Sequence, residues 1–476
     1  MTVDAALAWI DERRPALLAA FGDLLRIPSI STDPAYAPEV RRCADWLVAA
    51  FARIGFDNCR TIDTAGHPVV YGEWLRAGPA APTILVYAHY DVQPVDPLEL
   101  WETPPFEPSV RDGRIYARGA IDDKCGAFVN LAAFEALLAT AGALPVNVKL
   151  LFEGEEETGS PAMEPFVRDH RELLAADLLL ICDGGSLPDR PLIFYTARGI
   201  ASAEVLVRGA RHDVHSGLFG GVVPNPIHAV SAMIAALHDA SGRIQIPGFY
   251  DGVREPDAAE QARMASQEDD FEQMLRRETG LGAFWAPELG SLVTRATALP
   301  TCDVNGVWGG YQDAGVKTII PAEAGFKVTM RLVEGQDPQA VQASFQRLIQ
   351  GFASDAIQVQ VTTGPASYPA TLLRDGPVID ALQEAFQATW GRPAALYRQG
   401  GSVPIMGMFQ RELGIDLATL GFGTGDNGHA PNEYLIVDEL FRGMATAIHF
   451  YARLGALAPW GRAASAEAPS DQSATA

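Results

Sequence analysis

Thr83-Ile84-Leu85-Val86-Tyr87 is a run of aliphatic, β-branched and aromatic residues that stops, after Ala88, at His89. Two further runs have the same form: residues 146–152 lead into Glu153, and residues 178–182 lead into Asp183. A fourth, 417–422, leads into Gly423-Thr424-Gly425-Asp426. Short, largely apolar runs of this kind fit strands buried on both faces better than strands with one wet face. Helical patterns over 125–140 and 163–174 separate the first three runs, and another over 378–389 precedes the fourth. Strands alternating with helices predict an α/β fold, with a mostly parallel sheet and helices on both faces.

Working outward, residues 4–25 read as an N-terminal helix capped by Asp4, and 37–54 as a second helix. The stretch 199–370 has a different texture. It opens on the alternation Ala203, Val205, Val207, carries an acidic helical stretch around 255–280, and alternates again over 324–332. We read it as an α+β domain inserted into the α/β domain, which then spans 1–198 and 371–462. Residues 463–476, rich in Ala, Ser, Pro and Asp, read as a disordered tail.

The 476 residues carry a formal charge of −23, which argues against nucleic acid and anionic membranes as partners. No basic, apolar leader opens the chain, and no apolar run reaches the length of a membrane span. Five scattered cysteines without a C-x-x-C pair predict free thiols and a reducing cytoplasm.

The chemistry lies at the strand ends. His89 and Asp91, the glutamates of 153–157, Asp183 and His429 all follow predicted buried strands. In open α/β sheets, ligands bind in the crevice beyond the carboxyl ends of the strands. Imidazoles with carboxylates suit zinc, manganese or cobalt and do not make a cysteine-rich structural site. Two ions account for such a set better than one, because a shared carboxylate leaves room for a water between them. The acidic run 153–157 offers a spare carboxylate as general base beside a ligand. Each motif also has a bland reading: a helix start for Asp122-Asp123-Lys124, a turn for Asp183-Gly184-Gly185, a solvated loop for the glutamates.

Together the segments Tyr87–Pro94 (YAHYDVQP), Arg118–Lys124 (RGAIDDK), Glu153–Ser160 (EGEEETGS), His215-Ser216-Gly217, Gly400–Pro404 (GGSVP) and His429–Glu433 (HAPNE) resemble the M20 metallopeptidases. The similarity is to the dipeptidase branch typified by cytosolic non-specific dipeptidase and carnosinase. It implies that His89 and Asp183 bind one metal, Glu157 and His429 the other, and that Asp122 bridges them through a cis peptide to Asp123. It further implies Glu156 as general base, assisting a metal-bound hydroxide, and Asp91 as the carboxylate that orients His89. The ions would be zinc, with manganese as the alternative. The inserted domain would act as lid and dimerisation domain, with His215 reaching the active site of the partner subunit in a homodimer. Arg331 resembles the arginine that holds the substrate carboxylate, and Thr318 and Asn305 match lid positions. Gly400, Gly401 and Ser402 are placed to offer backbone amides to the same carboxylate. The implied substrates are dipeptides or short peptides. An N-acyl-amino-acid amidohydrolase is the alternative.

Overall fold

The computed structural model describes residues 3–184, 186 and 190–457, so the tail expected over 463–476 lies outside the described residues. The chain forms two compact units. The first comprises Met1–Tyr195, Leu372–Tyr397 and Phe409–Ala476, and the second Thr196–Thr371 and Arg398–Met408. The sequence reading had assigned Arg398–Met408 to the first unit. Within the second unit this segment is tied by an almost buried ion pair from Arg398 to Glu260 and by a 2.8 Å hydrogen bond from Arg331 to Ser402.

The largest sheet of the first unit has six strands: β1 (Asp57–Ile62), β2 (Val69–Trp74), β3 (Thr83–His89), β4 (Asn147–Glu153), β5 (Leu178–Ile181) and β6 (Asp416–Thr419). Their order across the sheet is β1-β2-β4-β3-β5-β6. The pairings β4–β3, β3–β5 and β5–β6 are parallel, while β1–β2 and β2–β4 are antiparallel. The antiparallel pair was not anticipated, because β1 is a polar edge strand, Asp57-Asn58-Cys59-Arg60-Thr61-Ile62, without the apolar run that marks the others.

Every residue of β4 and β5 is buried, as is every residue of β3 except Thr83. Alternate side chains of a strand point to opposite faces, so this pattern requires cover on both. Ile84, Val86 and Ala88 enter the main helical core. On the other face Tyr87 meets Phe409 edge-on at 5.5 Å between ring centroids. Each such aliphatic side chain stabilises the fold by about 1.5–3 kcal/mol relative to exposure.

Four boundaries differ from expectation. The first helix is two, α1 (Val3–Glu12) and α2 (Arg14–Leu25), and Asp4 lies in the first turn of α1 instead of capping it. Pro15 explains the break, since its ring cannot continue an α-helix and sits well only in a first turn. The helix expected over 163–174 is likewise interrupted, at His170. The acidic helical stretch is two helices, Ala258–Ala265 and Glu268–Thr279. The fourth strand stops at Thr419, so residues 420–422 belong to the loop that follows. The second expected helix forms as α3 (Ala37–Ile54), ended by left-handed Gly55.

Against the expectation that no apolar stretch reaches the length of a membrane span, the central helix, α4 (Lys124–Ala141), is long and apolar enough by composition to do so. Here 13 of its 18 residues are buried in the core. Its buried polar groups are matched. Lys124 Nζ donates to the carbonyls of Leu24 (3.2 Å) and Ile27 (2.6 Å), and Asn130 donates to Gly126 O while accepting from Tyr451. Gly126 permits the close approach of α4 to the end of β5. A Cβ there would lie 2.3 Å from Asp123 Oδ1 and 2.5 Å from the Cys182 carbonyl. Gly126→Ala is therefore expected to destabilise the protein by about 1–3 kcal/mol through overpacking. That exceeds the ~1 kcal/mol of helix propensity that alanine brings. The check is the urea midpoint; an unchanged or raised midpoint would show that the contact can relax.

Candidate metal centre

Because β3, β4 and β5 are parallel, their carboxyl ends lie along one edge of the sheet. His89 closes β3 directly opposite Glu153 of β4, and Asp183 follows two residues after β5. The start of α4 brings Asp122 and Asp123, joined by a cis peptide, to the same edge. His89 Nε2 lies 3.0 Å from Asp122 Oδ1, and His429 Nε2 lies 3.0 Å from Asp122 Oδ2. His429 Nε2 is also 3.3 Å from Glu157 Oε2. Asp122 thus turns one oxygen to each imidazole. Two groups result, His89–Asp122–Asp183 and Asp122–Glu157–His429, and within each the candidate ligand atoms lie within 4.8 Å of one another. All five residues nominated from sequence are brought together around Asp122. The first group is closed, with His89 only 1% exposed, and the second opens to solvent at His429, 58% exposed.

The acidic run divides its labour by direction. Glu153 is buried and accepts hydrogen bonds from Tyr87 and Ser160. Glu155 turns inward to accept from the amides of His67 (3.0 Å) and Ala162 (2.7 Å). Glu157 accepts from Gln93 at 2.6 Å and faces His429. The Glu156 carboxylate takes no hydrogen bond from the described residues, and neither does that of Asp183.

Asp91 sits beneath this loop. Its carboxylate accepts from the Ser31 hydroxyl (2.6 Å) and from the amides of Glu156 (3.2 Å) and Glu157 (3.1 Å). The nearest partner of His89 Nδ1 is the Asp91 carbonyl at 3.2 Å, with the carboxylate at 3.4 Å. With Nδ1–H directed there, Nε2 is left to face Asp122 and any cation. Ser31, Gln93, Arg118 and Glu433 were given no role from the sequence. The last three lie inside segments quoted for their resemblance, which was the available signal.

In the second unit, His215 and Ile319 pair on a short antiparallel ladder next to Thr318, whose carbonyl accepts from the Ser216 amide at 3.0 Å. His215 is exposed, and its Nδ1 accepts from the Gly217 amide at 3.0 Å. Arg331, on the strand Glu323–Leu332, donates to Ser402 Oγ at 2.8 Å, and Ser402 Oγ donates to the Gly199 carbonyl at 3.0 Å. Gly400 and Gly401 are held through their carbonyls, which accept from the side chain and amide of Arg198 respectively. Asn305 occupies a register shift in the strand Thr301–Gly309.

Residues 85–453 match the family described as peptidase family M20/M25/M40. The chain belongs to this family. Among curated relatives, the M20 chain is 29% identical over 474 residues to the Cys-Gly metallodipeptidase DUG1 of Candida albicans, covering 93% of this chain and 96% of the relative. It is 30% identical over 375 residues to human Beta-Ala-His dipeptidase, covering 77% and 73%. Among solved structures, the M20 family metallo-carboxypeptidase Sso-CP2 from Sulfolobus solfataricus superposes with a TM-score of 0.81 at 31% identity, covering 93% of this chain and 99% of that one.

The electrostatics of this M20 metallopeptidase follow from crowding. Burial, reinforced by Asp183, Asp91 and Glu157, pushes the Glu156 carboxyl up to about 7. Burial with Asp122 pushes Glu157 to about 7 as well. Asp122 behaves oppositely: burial would raise it, but hydrogen bonds from His429 and His89 outweigh burial and hold it below the usual carboxylate range. With both carboxyls near 7, Glu156 and Glu157 of metal-free protein are expected to hold protons at pH 6 that are largely lost by pH 8. A cation entering the cluster displaces them, so divalent metal affinity is expected to rise from pH 6 to pH 8 with net proton release at the acid end. Calorimetric titration in buffers of different ionisation enthalpy reads the released protons; pH-independent uptake without release would contradict the crowding.

Proposed function

We propose that this M20 enzyme hydrolyses the peptide bond of dipeptides or other short peptides, using two divalent ions. The observation that carries the two-ion reading is the split of the Asp122 carboxylate, one oxygen toward His89 and Asp183, the other toward His429 and Glu157. His89 and Asp183 would hold one ion, Glu157 and His429 the other, and Asp122 both. The donor set fits: the half-buried Asp183 carboxylate has no hydrogen-bond donor among the described residues, and three carboxylates nearly balance two dications. Zinc and manganese both suit these nitrogens and oxygens. Bound ions supply Lewis acidity toward the scissile carbonyl and a water acidic enough to attack it.

The residues do the rest. Glu156, whose carboxylate takes no hydrogen bond from the described residues and whose amide is fixed by Asp91, takes the proton of the attacking water and passes it to the leaving amine. Asp91 sets His89 and the Glu156–Glu157 backbone at once. Arg331, steadied by Ser402, is the group for the substrate carboxylate, with Gly401 next to Ser402 in the same segment; Thr318, beside the His215 ladder, is assigned to the substrate by the resemblance alone. The second unit serves as lid and dimerisation domain, and its exposed Leu218, Phe219, Val222, Val307 and Val316 favour a self-association surface. In that homodimer His215 of one copy assists the oxyanion in the other. The five unpaired thiols favour a cytoplasmic setting.

Glu156→Gln is expected to retain bound metal and lose about 10²–10⁴-fold in kcat, the usual contribution of a general base. Near-normal turnover would remove Glu156 from that role. A panel of dipeptides beside N-acetyl and N-succinyl amino acids tests the substrate class, and faster turnover of the N-acyl compounds would favour the amidohydrolase alternative. A species that sediments as a monomer yet turns over dipeptides normally would refute the role of His215 in trans.

A further inference from the structure

Glu433 is fully buried four residues after His429, and each of its carboxylate oxygens takes two hydrogen bonds. Oε2 accepts from Arg118 NH1 (2.7 Å) and Gly119 N (2.8 Å), and Oε1 from Ile121 N (2.8 Å) and Asp122 N (3.2 Å). Arg118, 1% exposed, also donates to the Pro94 carbonyl at 3.0 Å, in the loop that follows His89 and Asp91. One buried ion pair therefore ties together the three loops that carry His89, Asp122 and His429.

The two metal-type groups depend on this tie unequally. His89 is fixed by the parallel ladders of β3, and Asp183 lies two residues beyond β5. His429 has no such frame. It is more than half exposed and sits in a loop where Asn427, His429 and Asn432 all adopt left-handed backbone, φ 64°, 63° and 60°. Asparagine enters that region readily, but a histidine there is uncommon and is held by its surroundings. The contacts lie just C-terminal to His429. Asn432 bonds to Glu102 N and Leu100 O, each at 2.8 Å, and Glu433 grips the backbone of Gly119–Asp122.

We propose that the Glu433–Arg118 pair is the positioning device of the solvent-facing cation site. It holds the Asp122 backbone and the His429 loop at a fixed separation and so sets the affinity of the Asp122–Glu157–His429 group for its divalent ion. The proposal rests on the two-ion reading above and adds an asymmetry to it: loss of Glu433 weakens one ion more than the other. Neither residue is catalytic, since both act through the ligands they hold.

The test uses the full-length protein freed of metal, titrated with Mn2+ alone by equilibrium dialysis, with turnover of a dipeptide followed against Mn2+. Glu433→Gln keeps the size but sets an NH2 group against backbone N–H donors and leaves Arg118 without its counter-charge. The expected result is a loss of about 10–100-fold in affinity for one of two Mn2+ equivalents, the range usual for groups that orient metal ligands. The other equivalent should change far less. Saturating Mn2+ should restore kcat, with KM for the dipeptide unchanged. Two equivalents bound as in the parent, equal weakening of both, or kcat that stays low at saturating metal would each overturn the proposal. If Glu433→Gln does not fold by circular dichroism, Glu433→Asp, which keeps the charge and withdraws the oxygens by one methylene, is read by the same criteria. A parent protein that binds fewer than two ions would instead defeat the two-ion reading.

Discussion

The structure of the first unit depends on how it accommodates a crowd of carboxyl groups buried at one end of a parallel sheet. Removing a carboxylate from water without compensation costs several kcal/mol, comparable to the net stability of a whole domain. Most of the surrounding architecture supplies that compensation. Asp91 takes a hydroxyl and two amides, Asp122 two imidazoles, Glu155 two amides, and Glu433 three amides and a guanidinium. The carboxylates left over, Glu156 and Asp183, have no such donors among the described residues. Those are the positions that the proposed mechanism gives to a reacting water and a cation.

This distribution explains features that look unrelated along the chain. The segment after α2 is fixed by Lys124 on Ile27, by Ser29 on the Tyr90 carbonyl (2.6 Å), and by Ser31 on Asp91. Its task is to clamp the end of β3 from below. Gly126 brings the start of α4 against Cys182 and so places Asp122 and Asp123 beside Asp183. Asp123 in turn accepts from the His89 amide at 3.2 Å, and burial beside Asp183 holds its carboxyl well above the usual range.

Much of the fold was legible because the parallel strands are buried on both faces and therefore rich in apolar residues, with few polar interruptions such as Asn147 and Lys149. The hairpin of β1 and β2 was not, since a polar edge strand has no such signature. The break at Arg13 was legible in principle from Pro15. The departure of Arg398–Met408 to the second unit was not, because it rests on pairings of Arg398 with Glu260 and of Ser402 with Arg331, more than 70 residues apart in sequence.

The sequence by itself determined the kind of site: two histidines and several carboxylates, each released at the end of a strand that must be buried. Periodicity and composition are local properties, so they survive in one dimension. The tertiary structure alone decided which glutamate faces which way. In Glu155-Glu156-Glu157 three identical side chains differ only in direction, and direction comes from Asp91 gripping two amides while His67 and Ala162 claim Glu155. It also decided that Asp122 stands between His89 and His429, residues 340 positions apart (429 − 89), because Glu433 folds the later loop back onto the earlier one. Hydrogen bonds across such separations leave no local pattern to read.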